Sequence, residues 1–232
     1  MGDIIIGIHQ PNFFPWFGYF LKIAKVNKFI FLDDAQTQKK GGSYLNRTKI
    51  NINGEAKWLT APIKRKNGLQ IINSTHYLNS SWRKNIINTL QMNYGKTPFY
   101  DENKKFICNL INYESNLISD YNVYIIKELC KILHISTPLY LSSLYAINKT
   151  STDRLISIIK SVNGNIYLSG MGGKKYQNIE LFKENNIKII YNSFAHPKYS
   201  QAKANSFLSG LSILDIIFNI GRKNLKKIIS NS

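Results

Sequence analysis

Cysteine is nearly absent from this sequence. Cys108 and Cys130 are the only two, each sits in an apolar periodic stretch, and one pair makes no disulfide framework, so both read as buried thiols. Long hydrophobic runs are missing too: none approaches the ~18 uninterrupted apolar residues of a membrane span. Residues 4–8 open directly into a strand-like run, without the basic start, long apolar segment and cleavage site of a signal peptide. These absences lead to the expectation of a cytoplasmic globular protein without a membrane span. Motifs are lacking as well. There is no Gly-x4-Gly-Lys-Ser/Thr phosphate loop, no Gly-x-Ser-x-Gly nucleophile turn, no internal repeat and no low-complexity linker. Acidic residues are scarce, 13 against 31 basic ones, for a net charge of +18. Such an excess can mark a polyanion partner. Here the lysines are spread along the chain, as in proteins rich throughout in Lys, Asn and Ile, and the densest runs are 64–66 and 222–227. A nucleic-acid module would concentrate its charge on one face. A nucleic-acid partner is therefore disfavoured, and a small phosphorylated ligand fits better.

What is present is core material. Apolar residues make up 44% of the 232, aromatic residues 12% and charged ones only 19%, the reverse of a disordered chain. The length fits one α/β domain over 1–232, with a helical section at about 80–134. Residues 4–8 and 29–32 read as strands buried on both faces, with helical spacing over 14–26 between them, a parallel crossover unit. Residues 47–52 and 55–63 form a hairpin around Asn53-Gly54. Residues 37–45 and 64–68 read as loops. Helices are expected over 80–93, capped by Ser80 or Ser81, and over 101–133 as a pair with a break near Ser119-Asp120. Strands follow at 139–144, 165–169 and 187–191. Helices follow at 151–162, 174–185 and 211–220, the last stopped by Gly221. The fold class is α/β, with a parallel Rossmann-like core, a helical middle section and a small hairpin insertion.

Four places carry chemistry. His9, Gln10 and Asn12 form a polar loop beyond the first strand, where open parallel sheets bind ligands, while Trp16, Phe17 and Phe20 read as core. Asp33-Asp34 end the second strand on the same sheet edge; they suit a ribose, a metal or an amine, or simply cap the next turn. Histidine and cysteine partners for a metal are missing nearby, so no metal ligand is assigned. Ser169, Gly170, Gly172, Gly173 and Lys174 make a glycine-rich turn between strand and helix, either a phosphate cradle or a tight connection. His196, Tyr199 and Gln201 follow the last strand, where a histidine can move protons near neutral pH. Asn46 and Arg47 form a further candidate clamp, since arginine offers a planar fork to phosphate or carboxylate.

The runs HQPNFFPWFGYF (9–20), FLDDAQ (31–36), WLTAP (58–62), STDRL (151–155), YLSGMGGK (167–174), HPKYSQ (196–201) and LSILD (211–215) together resemble the WbqC-like family. That resemblance implies a bacterial enzyme of surface polysaccharide (O-antigen or capsule) biosynthesis, acting on a nucleotide-linked amino sugar with a small acid or amino acid as donor. The strand, the His9 loop, Pro15-x-x-Gly18 and the helix are also similar to adenylate-forming nucleotidyltransferases, with Tyr19 where a second histidine would stand. This implies ATP with magnesium, His9, Gln10, Asn12, Tyr19, Lys22 and Lys174 on phosphates, and Asp33, Asp34 or His196 as the base for the attacking amine. Asn46, Arg47, Tyr199 and Gln201 would hold the substrate. The expected reaction is amide formation. The alternatives are transfer from an acyl thioester and a non-catalytic polyanion-binding module. A homodimer is compatible with all three.

Overall fold

The computed structural model describes residues 2–37, 43–64 and 70–230. Parts of the loops read at 37–45 and 64–68, and of the basic run at 64–66, fall outside them. Five strands form one parallel sheet: β1 (Ile5–His9), β2 (Lys28–Phe31), β5 (Leu139–Leu141), β6 (Ile166–Gly170) and β7 (Lys188–Asn192), in the order β5-β2-β1-β6-β7. β1 pairs with β2 on one side, Gly7 opposite Phe29, and with β6 on the other, Gly7 opposite Leu168. The chain thus winds outward from β1 in one direction, then returns to β6 and winds outward in the other. A separate antiparallel hairpin joins β3 (Arg47–Ile52) to β4 (Glu55–Thr60). Its turn is Asn53-Gly54, both at positive φ (52° and 86°), the geometry this dipeptide favours because it matches strand twist.

Helices cover both faces of the sheet, as a parallel sheet requires. Alternation along the strands decides what each face meets. Phe29, Phe31 and Leu168 join a large core with α1 (Phe17–Ala24), α2 (Trp82–Tyr94), α3 (Tyr100–Ile111), α4 (Ile118–Ile132) and α7 (Ile213–Ser230). Ile6, Ile8, Ile30 and Tyr167 join a second core with α5 (Ser151–Ser161) and α6 (Ile179–Glu184). Among the described residues, no helix is long and apolar enough to cross a membrane. Cys130 is buried and Cys108 half-buried, both as free thiols.

Several boundaries differ from the sequence reading for local reasons. The first helix starts at Phe17 rather than near 14, because Phe14 takes positive φ (38°) and Trp16 is extended. The break between α3 and α4 falls at 112–117, and Ser119 and Asp120 open the second helix instead. Ser81 is at the α2 cap position with helical angles and no capping bond; Asn79 Oδ1 accepts from the Ser81 backbone N–H instead, at 3.1 Å. The segment after β6 is a 3-10 turn over Met171–Lys175, and α6 begins only at Ile179, capped by Asn178. The glycine-rich turn is therefore not followed directly by a helix start. Gly221 does break the last helix (φ 76°, ψ 163°), but helical structure resumes beyond it to Ser230.

Candidate functional site

The reversal of strand order lies between β1 and β6. Open parallel sheets bind ligands there, beyond the carboxyl ends of the strands, because the two connections leave in opposite directions and part above the seam. A cleft of about 840 Å³ opens at this point, with His9 and Gln10 at the end of β1 and Ser169 to Gly173 at the end of β6. Tyr19 and Lys22, three residues apart on one face of α1, reach it from a third side.

Lys22 is the unusual residue. It is only 5% exposed, and its Nζ donates to the Ile8 carbonyl at 2.8 Å. Burial lowers its pKa to about 7, and the ammonium lies 5.9 Å from the centre of the Tyr167 ring. Among the described residues lining this cleft, there is no Asp or Glu. A buried amine that faces a cavity without a carboxylate is further stabilised as a cation when an anion enters.

His9 stands beside it. Its Nδ1 lies 3.0 Å from the Gln10 carbonyl; a carbonyl only accepts, so Nδ1 carries the hydrogen and Nε2 is left as an acceptor. The Tyr19 hydroxyl donates to the same carbonyl at 2.9 Å, and its ring meets His9 edge-on at 4.9 Å. Burial, then the charge on Lys22, lowers the His9 pKa to about 4, so the imidazole is neutral at pH 7. Tyr19 is held protonated, because burial raises its pKa well above 10.0.

Opposite, Gln177 Nε2 donates to Ser169 Oγ at 2.8 Å, and the Tyr191 hydroxyl lies 3.4 Å from Gln177 Oε1. The remaining wall is aromatic. Trp16, Phe194 and His196 touch one another, with ring centroids 5.3 Å (Trp16–Phe194), 5.6 Å (Trp16–His196) and 4.6 Å (Phe194–His196) apart. Burial lowers the His196 pKa. The Trp16 indole folds back over Gly18, where a Cβ would lie 2.2 Å from the ring.

The model of the WbqC-like protein family matches residues 10–227. The chain belongs to that family. A protein of Mycobacterium tuberculosis (strain ATCC 25618 / H37Rv), described as uncharacterized protein Rv1507c, is 30% identical over 220 residues, covering 93% of this chain and 94% of its own. No solved structure matches.

This WbqC-like cleft gathers His9, Gln10, Tyr19, Lys22, Ser169, Gly170, Gly172, Gly173 and His196 from the residues singled out in the sequence. The others lie elsewhere. Asn12 is buried and does not line the cleft. Asp33 is buried against the turn after β5, accepting from the Ser143 backbone N–H at 3.0 Å and the Ser143 hydroxyl at 2.6 Å. Asp34 is paired with Arg154 and also meets Ser142. Asn46 donates to the Ala61 carbonyl at 2.9 Å, and the Arg47 guanidinium stacks 4.0 Å from the Trp58 ring centre. Tyr199 and Gln201 bind a buried carboxylate on α7: the Tyr199 hydroxyl donates to Asp215 at 2.6 Å and Gln201 Nε2 at 3.1 Å. Tyr94 donates to the same carboxylate at 2.8 Å. Lys174 is exposed, its ammonium 5.8 Å from the Tyr191 ring centre.

Trp16 reads as core in the sequence, and Tyr176, Gln177, Asn192 and Phe194, which carry no site assignment there although Tyr176 and Phe194 bound two of the candidate runs, also line the cleft. Phe17 and Phe20 are core, as expected. Asn192 carried a usable signal, since it is a polar residue at the carboxyl end of a parallel strand. Gln177 carried none, because its position depends on the length of the 3-10 turn before it.

Proposed function

We propose that this WbqC-like protein modifies a nucleotide-linked amino sugar for surface polysaccharide, joining a small acid to the sugar amine through an amide bond. The observation that carries this reading is the buried, carboxylate-free Lys22 beside neutral His9 in the cleft at the β1–β6 seam. Lys22 supplies a cation to a phosphate or to the negative charge that develops on the reacting oxygen. The aromatic wall offers a stacking face to a base. His9 is too weakly basic to hold a proton at pH 7, but its Nε2 can accept a hydrogen bond from the attacking amine and orient it.

With ATP as co-substrate, the acid's carboxylate attacks the α-phosphorus and pyrophosphate leaves. The sugar amine then attacks the acyl carbon, AMP leaves, and the amine releases one proton. Magnesium does not fit the cleft as a protein-held ion, because a hard cation wants carboxylate oxygens and none lines it among the described residues. The same observation favours a second reading, in which the acid arrives already activated as a thioester and leaves its thiol when the amine attacks.

The test is the mass of an amino-sugar nucleotide after incubation with the protein and a panel of small acids, with ATP and magnesium or with the acids as thioesters. A gain that needs ATP supports the ligase. A gain only with thioesters supports the second reading. No gain with either overturns both.

A further inference from the structure

The cleft's charge count and its glycines say more about the ligand. Gly170 and Gly172 line it, and at both positions a Cβ would meet nothing within 4 Å. Neither has positive φ, so backbone conformation does not call for glycine at either place. Gly173 differs: a Cβ there would lie 2.7 Å from Ser169 Oγ and 2.6 Å from Gln177 Nε2. The first two glycines therefore leave open space rather than solve a packing problem. Open space over a bare backbone is what a phosphate group needs to approach peptide N–H groups. The positive side of the site is small, however. It consists of one buried lysine, with His9 neutral and no acidic residue among the described lining to hold a metal. A triphosphate brings more charge than one lysine balances. A pyrophosphate diester, lacking the terminal phosphate, also exceeds one lysine but by far less, and leaves its sugar pointing onward.

From this we infer that the cleft holds the nucleoside-diphosphate half of a nucleotide sugar without a divalent metal, its pyrophosphate between Lys22 and the open backbone at Gly170 and Gly172, its base on the Trp16–Phe194–His196 wall. This rests on the function proposed above and names the part of the substrate that the site recognises.

Calorimetric titration of the full chain with a UDP-, a GDP- and a dTDP-linked sugar, each in EDTA and again in excess magnesium, tests it, with ATP under both conditions as comparison. At least one diphosphate is expected to bind equally well, within about twofold, in EDTA and in magnesium. Lys22→Met is expected to weaken that binding by about tenfold or more. Gly172→Val is expected to do the same, with its melting temperature unchanged, since the added side chain enters empty space. Binding that requires magnesium, binding of ATP alone, binding of none of the three diphosphates, or wild-type affinity in both variants would each overturn the inference. Failure here is distinct from failure of the proposed reaction. Metal-free diphosphate binding without any mass gain defeats the reaction and leaves the site standing, whereas turnover with metal-dependent diphosphate binding does the opposite.

Discussion

Keeping an amine out of water without a carboxylate costs stability in the empty protein, and Lys22 accepts that cost at the seam of the sheet. Its pKa falls from 10.5 to about 7. Between those values the unfolded chain holds a proton that the folded chain does not, so stability rises as pH is raised across that window. Below about pH 7 the whole penalty is present. Lys22→Met removes it, and at about 1.4 kcal/mol per pKa unit the gain at pH 6, discounted for the lost bond to Ile8, is ~2 kcal/mol. That corresponds to a melting temperature roughly 4–8 °C above wild type at pH 6, with the difference closing toward pH 10. Thermal unfolding across that range checks it; a variant that is less stable at pH 6, or a gap that ignores pH, would remove the case for a buried charge. Residue-level legibility was uneven. His9 stood out because it ends a strand. Trp16 did not, because its place in the cleft depends on Gly18 leaving room for the indole, and composition cannot show that.

At the scale of elements, local signals were read well. The crossover β1–α1–β2 followed from periodicity, and the hairpin from Asn53-Gly54. Helix ends were read less well, because they are set by contacts with distant segments. The last helix is an example. The sequence marks Gly221 as its end, and the chain does leave helical geometry there, at φ 76° and ψ 163°. The reason is tertiary: a Cβ at Gly221 would lie 2.6 Å from the Phe99 ring, and the Phe99 backbone N–H donates to the Phe218 carbonyl at 3.1 Å. Gly221→Ala thus meets both a glycine-only conformation and a clash, and should cost about 1–3 kcal/mol in urea unfolding. A loss below about 0.5 kcal/mol would show that the kink can relax. The loop after β7 is fixed in a comparable way. Tyr199 and Gln201 anchor it to Asp215, on the chain that carries Phe194 and His196 to the cleft.

For the whole molecule, strand order was the information that no local pattern held. Asp33 and Asp34 were grouped with His9 because both follow strands of one sheet edge. In the structure β2 lies on the far side of β1 from β6, so the acids face the turn after β5 while His9 faces the glycine-rich turn. Net charge was legible at once, and its even spread matters. The Lys223, Lys226 and Lys227 side chains do not line the cleft, and at physiological salt surface charges act over only ~8 Å. Changing all three to Gln should leave nucleoside-diphosphate affinity within about twofold. A loss of about tenfold, measured by the same titration, would revive the polyanion-binding reading.

The pairing of β1 with β6 also has a consequence for how the protein is made. Ile5 lies beside Ile166, so the edge of β1 that will face β6 has no partner until most of the chain has left the ribosome. At ~5–20 residues per second that interval is roughly 10–30 s. During it the strand Ile-Ile-Gly-Ile-His can pair with β2 on one side only, and its other edge stays open to any strand that passes. The β1–β6 seam thus closes only when β6 arrives, long after β1 can meet β2, so anything bound at that seam can protect the finished protein but not the growing one.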